Sequence, residues 1–290
     1  MKFTKMHGCG NDYIYFYGFG ENLPEEERKD FVRRISDRHY GIGGDGAIFI
    51  LPCEDADFEM AMYNADGSRG EMCGNGIRCL AKYVYEKGLT SKTELWIRSC
   101  SKRVKVWYEP EKGRVHRVFV QMGEPKVLSP CFVSLPEREE PPGKIELPGA
   151  MKQSQSMEPP GMVELTCISM GNPHAVLLAG EAEWNGLSWI GPYLECHPYF
   201  PDRTNVELVQ VISRDEIRMR VWERGTGETL ACGTGACAAA VSCILKGLTN
   251  EEVTVKLLGG ELFVRWDRKH NQVFLEGPAE TVFEGEIKAE

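Results

Sequence analysis

The chain has 290 residues, 42% of them hydrophobic and 27% charged, so it is long enough to bury a large core and to form two domains of ordinary size. Its formal net charge is -9 without any cluster of lysine and arginine, which argues against nucleic acid or an anionic membrane as the main partner and favours a small molecule. No run approaches the roughly 18 apolar residues of a membrane span and no signal-peptide core is present, so the expected location is the cytoplasm.

The first half of the chain is predicted to contain short strands on either side of one helix. Alternating or β-branched runs predict strands at 47–51, 58–63, 94–98, 104–108 and 115–120. Apolar residues at 77, 80, 81 and 84 follow the spacing of an amphipathic helix that begins after Cys73 and ends at Lys87 and Gly88. The stretch 131–165 is rich in Pro, Glu, Gln and Ser and lacks periodicity, which predicts a mobile surface excursion without catalytic residues.

The second half is likewise predicted to contain short strands on either side of one helix. Strands are predicted at 175–178, 206–211, 217–222, 253–257 and 262–266. The helix that follows Cys232 covers 236–245 and is almost entirely small or apolar, which predicts burial on all sides. A last strand-like run at 281–287 is expected to return to the first half.

The two halves repeat one another at a fixed offset. The tetrapeptide Lys-Gly-Leu-Thr stands at 87–90 and again at 246–249, an offset of 159 that also relates Cys73 to Cys232 and Trp107 to Trp266. Three landmarks at one offset indicate a duplicated unit. We therefore predict an α+β fold of two pseudo-symmetric halves, each a curled mixed β-sheet or barrel around a central helix. The halves are expected at 1–118, completed by 277–290, and at 119–276, with the active site in the cleft between them.

Both cysteines of the repeat stand in a Cys-Gly-x-Gly turn directly ahead of a predicted helix. A helix N-terminus offers unpaired backbone N–H groups and a positive dipole end, which lower the pKa of a thiol and bind a carboxylate. The glycines allow a ligand to approach the backbone amides. Two such thiols, one as thiolate and one as thiol, could remove a proton from one face of a carbon and deliver another to the opposite face. The pattern therefore favours a two-base racemase or epimerase that uses neither a metal nor an organic cofactor.

Other interpretations of the cysteines stay open. Both could be ordinary helix-start residues of a duplicated fold, or could belong to a non-catalytic module that binds a carboxylate. A thiol redox protein is disfavoured because the eleven cysteines include no Cys-x-x-Cys pair, and the same spacing argument disfavours a disulfide framework or a zinc ribbon.

The sequence also resembles the diaminopimelate epimerase family over almost its whole length. The motifs that carry this resemblance are Tyr63-Asn64-Ala65-Asp66-Gly67-Ser68, Met72-Cys73-Gly74-Asn75-Gly76, Gly171-Asn172-Pro173-His174, Arg203-Thr204-Asn205-Val206-Glu207 and the run from Glu223-Arg224-Gly225 to Cys232-Gly233-Thr234-Gly235. The resemblance implies a pyridoxal-independent isomerase that converts LL-diaminopimelate to the meso form in lysine and peptidoglycan precursor biosynthesis, usually as a homodimer.

Carried over residue by residue, the resemblance assigns roles in both halves. Cys73 and Cys232 are the acid/base thiols, and the amides of Gly74, Asn75, Gly233 and Thr234 hold the reacting carboxylate. His174 and Glu223 poise the thiols. Asn64, Asn172, Asn205 and Arg224 hold the distal amino acid end of the substrate, Asn11 lines the pocket, and Glu223 also belongs to the substrate-binding set. Arginine suits a bidentate carboxylate clamp, and asparagine pairs with ammonium and carboxylate alike.

The sequence departs from the family pattern in a few places. Gly46 stands where some family members have glutamine, so any substrate contact from that position is lost or made by water. Cys9 is expected to pack and not to catalyse. Racemases of the proline type resemble the same fold but carry histidine where this chain has Asn75, which leaves a proline or hydroxyproline racemase or epimerase as the second interpretation.

Overall fold

The computed structural model describes residues 1–18, 24–70, 72–128, 131–134, 162–179, 184 and 186–288. The chain divides into two compact units. Unit 1 comprises Met1–Met122 and Phe274–Glu290, and unit 2 comprises Gly123–Val273. Among the residues that the structure describes, no helix is both long and apolar enough to cross a membrane.

Unit 1 is a mixed sheet with two helices. Its elements are β1 (Lys2–Gly8), β2 (Asn11–Tyr17), α1 (Glu25–Ser36), β3 (Gly46–Leu51), β4 (Phe58–Asn64), α2 (Gly74–Glu86), β5 (Glu94–Ser99), β6 (Lys102–Trp107) and β7 (Arg117–Gly123). From β1 to β6 the pairings alternate, with β1–β2, β3–β4 and β5–β6 antiparallel and β2–β3 and β4–β5 parallel. The last strand of the chain, Glu280–Glu286, pairs antiparallel with β1.

Unit 2 repeats this arrangement. After β8 (Lys126–Val127) and β9 (Cys131–Ser134), its elements are β10 (Met162–Ser169), β11 (Pro173–Leu178), α3 (Leu187–Glu195), β12 (Asn205–Val211), β13 (Glu216–Glu223), β14 (Gly227–Thr229), α4 (Gly233–Leu245), β15 (Glu252–Leu257) and β16 (Gly260–Asp267). Strands β17 (Gln272–Pro278) and β18 (Glu280–Glu286) follow in the chain, and from Phe274 onward they belong to unit 1. The pairs β10–β11, β12–β13 and β15–β16 are antiparallel, and β11–β12 and β13–β15 are parallel. The same pairing order in both units shows the duplication directly, and the predicted α+β class is confirmed.

Each unit contains a second helix that the prediction of one central helix per half did not include. In α1 only Phe31, Val32, Ile35 and Ser36 are buried. Most of its other residues are charged, and the sequence therefore gives little apolar periodicity. It packs over β3 and β4, where it shares a core cluster with Phe16 of β2. In α3, Pro192 lies inside the helix, and an internal proline normally indicates a helix end. Packing against the sheet overrides these weak local signals.

The two predicted helices are both present, and α2 is amphipathic as predicted, but part of its polar face is buried. Helix α4 is buried from Gly233 to Ile244, as predicted. Helix α2 buries two cationic side chains as well as its apolar face. The Arg78 guanidinium donates to the carbonyls of Pro278 (3.1 Å) and Gly74 (3.0 Å), and Lys82 Nζ pairs with Glu86 Oε1 at 2.7 Å. The polar face of the helix is therefore used inside the protein, because each buried charge finds acceptors there.

The predicted excursion at 131–165 lies mostly outside the described residues. Its two ends do not match the prediction, because β9 pairs antiparallel with the beginning of β10, from the pair Met162 and Ser134 to the pair Leu165 and Cys131. Cross-strand hydrogen bonding thus orders segments whose local sequence gave no periodic signal.

Candidate active site

Both cysteines of the repeat cap a helix. Cys73 has an extended backbone (φ -126°) as the N-cap of α2, and its Sγ accepts a hydrogen bond from the Gly76 N–H at 3.2 Å. Cys232 has the same conformation (φ -123°) at α4, and its Sγ accepts from the Gly235 N–H at 3.4 Å. The prediction that both helices begin at a cysteine is confirmed. Each sulfur lies where the first-turn N–H groups of its helix point.

The second glycine of each turn has no room for a side chain. A Cβ at Gly76 would lie 2.7 Å from Ile48 Cδ1, and a Cβ at Gly235 would lie 2.8 Å from Glu207 Oε1. Ile48 and Glu207 are related by the repeat offset of 159 and occupy the same place beneath their helices. The first turns of the two helices therefore pack on different side chains, an apolar one in unit 1 and a carboxylate in unit 2.

Around Cys73, carboxamide groups form a defined hydrogen-bond chain. The Cys73 thiol donates to Asn11 Oδ1 at 3.2 Å, and Asn75 Nδ2 donates to the same oxygen at 3.2 Å. Asn75 is held in turn by Arg78, whose Nη2 donates to its Oδ1 at 2.9 Å. Since arginine can only donate, it fixes which end of the Asn75 amide faces Asn11.

Asp45 fixes the other end of this chain and was not among the predicted site residues. Its Oδ2 accepts from Asn11 Nδ2 at 2.7 Å and from the Asp12 N–H at 3.1 Å, while its Oδ1 accepts from Arg38 Nη2 at 2.9 Å. A carboxylate can only accept, so the Asn11 amide nitrogen must point to Asp45 and its oxygen to Cys73. Asp45 stands in the Gly-x-Gly-x-Asp stretch, which is the sequence signal for it.

Around Cys232, a hydroxyl takes the place of the Asn75 amide. Thr234 Oγ1 lies 3.5 Å from Cys232 Sγ and accepts from Asn172 Nδ2 at 3.3 Å. Asn172 Oδ1 lies 3.0 Å from His174 Nε2, and His174 Nδ1 lies 2.6 Å from Glu207 Oε1. The structure thus brings the predicted residues Asn172, His174 and Thr234 together beside Cys232, and adds Glu207 to them.

The environment of Cys232 corrects the expectation that both thiols have lowered pKa values. Burial raises the pKa of Cys232 well above its usual value, and the negative charges of Glu223 and Glu207 add to this. Hydrogen bonds from Thr234 and the Gly235 N–H lower it only in part. The helix N-terminus therefore does not outweigh desolvation and two nearby carboxylates.

Glu223 is another group near Cys232 that could donate or accept a proton. Burial raises the pKa of Glu223, against the lowering effect of hydrogen bonds from the Thr229 hydroxyl and from the Cys232 thiol. A carboxyl group that has a raised pKa and accepts a hydrogen bond from a thiol is suited to general acid/base catalysis. Among the described residues, no cluster of three or more His, Cys, Asp or Glu side chains could hold a metal ion.

The remaining predicted contact residues lie at strand ends of their own units. Asn64 ends β4 and donates to Ser68 Oγ at 2.9 Å. Asn205 is buried at the start of β12, where its amide donates to the Pro173 carbonyl (2.8 Å) and accepts from the Arg224 N–H (2.9 Å). The Arg224 guanidinium donates to the Asp202 carbonyl at 3.2 Å.

Gly46 is required by the backbone, which explains the absence of a longer side chain there. Its φ is +154°, and a Cβ would lie 2.0 Å from the Tyr63 carbonyl oxygen. Gly46→Gln is therefore expected to lower the free energy of unfolding by at least about 2 kcal/mol, since a neighbouring strand would have to shift. Urea unfolding would measure this, with Ala47→Ser in the same strand as a control for a small polar change. A Gly46→Gln protein as stable as the parent would contradict it.

Comparison with known proteins gives a consistent result. A family model described as diaminopimelate epimerase matches residues 3–128 and 166–282. A diaminopimelate epimerase from Agathobacter rectalis is 47% identical over 292 residues, covering 99% of both chains. One from Acetivibrio thermocellus is 45% identical over 288 residues, covering 99% of this chain and 98% of its own.

Solved structures show a likeness of fold at much lower identity. A probable proline racemase from Agrobacterium radiobacter has a TM-score of 0.68 at 16% identity, covering 100% of this chain and 93% of its own. A hydroxyproline epimerase from Agrobacterium vitis has a TM-score of 0.69 at 14% identity, covering 98% and 91%.

Proposed function

Since this chain belongs to the diaminopimelate epimerase family, we propose that it interconverts LL- and meso-diaminopimelate. The match covers nearly the whole chain at 45–47% identity, and the enzyme is an isomerase that acts at an amino acid α-carbon. The observation that carries the mechanism is the duplicated placement of Cys73 and Cys232 as helix N-caps. The product serves lysine and peptidoglycan precursor biosynthesis in the cytoplasm.

In the proposed reaction the two thiols act on opposite faces of one α-carbon. The thiolate removes the α-proton and becomes a thiol, while the other cysteine delivers its own proton to the opposite face and becomes a thiolate. The carbanion formed between these steps spreads its charge onto the α-carboxylate. Backbone N–H groups of Gly74, Asn75, Gly233 and Thr234 are assigned to stabilise that charge, because the first-turn N–H groups of a helix have no acceptor within the helix itself. Proton transfer by this route uses no pyridoxal phosphate.

The distal amino acid end of the substrate is assigned to the polar residues at the strand ends. Arg224 is the proposed clamp for the distal carboxylate, and its side chain is exposed. Contacts to the distal ammonium and carboxylate are assigned to Asn64 and Asn205, and further substrate contacts are assigned to Asn11, Asn172 and Glu223. Asn11 and Asn172 stand at equivalent places of the two units, each beside the residues of its thiol.

Deuterium incorporation tests this function directly. The reduced protein would be incubated with LL-diaminopimelate in deuterated water without pyridoxal phosphate, and the stereoisomers separated by chiral chromatography. We expect the meso form to appear with deuterium at the inverted α-carbon. Neither exchange nor inversion would contradict the proposal.

A proline or hydroxyproline racemase or epimerase is the second candidate function. The low-identity likeness to such structures supports the fold alone. Incubating the enzyme with L-proline and trans-4-hydroxyproline under the same conditions separates the candidates. Inversion of either imino acid faster than of diaminopimelate would favour the second.

Asp45 is predicted to support catalysis through Asn11. In Asp45→Ala, Asn11 loses the acceptor that fixes its amide, and kcat/KM is expected to fall about tenfold, the effect of losing one charge-assisted hydrogen bond. Asp45→Asn keeps an acceptor oxygen and is expected to retain most of the activity. Steady-state kinetics would compare the two variants, after circular dichroism has shown equal folding. Equal losses in both variants would contradict this role.

A homodimer formed through β18 is also part of the proposal. Every residue of β18 except Gly285 is exposed, and Val282 (54% exposed) and Phe283 (45%) present apolar side chains on it. Exposed apolar side chains of this kind mark a surface for contact between chains. Phe283→Glu is expected to give monomers in light scattering, whereas Leu258→Glu, an equally exposed position in unit 2, should not. A dimer that persists in Phe283→Glu would contradict this interface.

A further inference from the structure

Glu207 is a buried carboxylate that the proposed reaction does not yet use. Its side chain and that of His174 are both fully shielded from solvent, and the distance from Oε1 to His174 Nδ1 is 2.6 Å. Within the part of the chain that the structure describes, Oε2 has no hydrogen-bond partner. A buried carboxylate with one unsatisfied oxygen costs stability, so its presence calls for an explanation other than packing.

The duplicated fold shows that this position does not need a charge. Ile48 stands at the equivalent place in β3, under Gly76, just as Glu207 stands in β12 under Gly235. An apolar side chain thus supports the first turn of the central helix in unit 1. The carboxylate is therefore a property of the Cys232 side and not of the fold.

A continuous chain of hydrogen bonds leads from Glu207 to the thiol. His174 contacts Glu207 through Nδ1 and Asn172 through Nε2. Since Asn172 Oδ1 faces His174 Nε2, the amide nitrogen of Asn172 points to Thr234. Thr234 accepts from this nitrogen, so its own hydroxyl proton can point to Cys232 Sγ.

We propose that Glu207 is a positioning residue that keeps Cys232 protonated, so that Cys232 enters turnover as the proton donor of the pair. This inference rests on the two-thiol epimerase proposed above. Glu207 acts through its charge beneath the helix start and also contacts His174, and its effect on the Cys232 pKa exceeds the opposite effect of the Thr234 hydrogen bond. The charged groups that act on Cys232 are Glu207 from β12 and Glu223 from β13, and His174 from β11 contacts Glu207.

The electrostatic setting agrees with this assignment. The negative charges of Glu207 and Glu223 contribute, after burial, to the raised pKa of Cys232. Beneath Cys73, Ile48 brings no charge, and Cys73 is only half-buried. The two thiols are therefore expected to ionise at different pH values although their backbone settings are the same.

The pH dependence of alkylation measures this without substrate. The reduced protein would receive short pulses of iodoacetamide from about pH 6.5 to about pH 10.5, followed by trypsin and mass spectrometry. Cleavage after Arg69 and Arg78 gives a peptide in which Cys73 is the one cysteine, and cleavage after Arg224 and Lys246 gives a peptide with Cys232, Cys237 and Cys243. Fragment ions separate these three, and the buried Cys237 and Cys243 report any local opening.

We expect Cys232 to react with a higher midpoint pH than Cys73 in the parent protein. In Glu207→Gln the Cys232 midpoint should fall, with about a tenfold faster reaction at a fixed pH for a fall of one pH unit, while Cys73 stays unchanged. Glu207→Ile, which copies the unit 1 residue, should have the same effect. If neither variant folds, the order of the Cys73 and Cys232 midpoint pH values in the parent protein still tests the proposal.

Two results would overturn the proposal. One is a Cys232 profile in folded Glu207→Gln that equals the parent profile, and the other is a parent protein in which Cys232 ionises below Cys73. Since no substrate is present, both results are distinct from a failure of the proposed function, which would appear as an absence of epimerisation in the parent.

Discussion

Replacing either Cys73 or Cys232 with alanine is expected to lower kcat for epimerisation by at least about 1,000-fold, the range in which a positioned general acid or base contributes. Each thiol serves one face of the α-carbon, and neither Cys-Gly-x-Gly turn contains a second thiol to replace it. A variant with one thiol can at most exchange the proton on its own face. Inversion should therefore be lost even where slow deuterium exchange on one face persists.

Chiral product analysis and deuterium uptake should be followed together in these variants. Cys196→Ala is the matched control, because Cys196 is an exposed cysteine outside both Cys-Gly-x-Gly turns, and it should retain full activity. An inversion rate within about tenfold of the parent in either active-site variant would contradict the two-thiol mechanism.

The duplication and both central helices could be predicted because their signals are local. Cys73 and Cys232 each precede a glycine-punctuated apolar run, and the offset of 159 joins them without any structural knowledge. Helix α1 was missed because its polar residues outnumber its buried ones, and α3 because Pro192 stands inside it. In both helices the sheet supplies the stability that local propensity lacks.

The residues that support the thiols could not be predicted in the same way. Asp45 acts on Cys73 through Asn11. The contact between Asn11 and Asp45 joins residues that are 34 positions apart in the sequence. Glu207 lies in β12 between Val206 and Leu208, where sequence alone does not distinguish a buried acid from the solvent face of a strand. Aligning the halves would have revealed it, because the repeat places Glu207 on Ile48, and a carboxylate aligned with an isoleucine is unusual in a duplicated core.

Glu223→Gln is expected to lower kcat about 100-fold while it stabilises the protein at neutral pH. Glutamine cannot take up or return the Cys232 proton, which explains the loss of activity. The stability effect follows from the raised pKa of Glu223 in the folded protein, which burial causes. Below the usual value of 4.5 the carboxyl group is protonated in both folded and unfolded chains, and its ionisation costs the folded state nothing. Between 4.5 and the higher folded pKa, the folded protein holds a proton that the unfolded chain has released. This stability is therefore lost as pH rises through the folded pKa.

Urea unfolding at about pH 4.5 and about pH 8 would measure the difference, and the variant should gain more over the parent at the higher pH. Glu261→Gln is the control, since Glu261 is exposed in β16 and its loss should change neither activity nor the pH dependence. A Glu223→Gln protein that is less stable than the parent at pH 8 would show that the hydrogen bonds from Thr229 and Cys232 outweigh the cost of burying the charge. An active and stabilised variant would instead remove Glu223 from the proton-transfer chemistry and leave Glu207 as the carboxylate that governs Cys232.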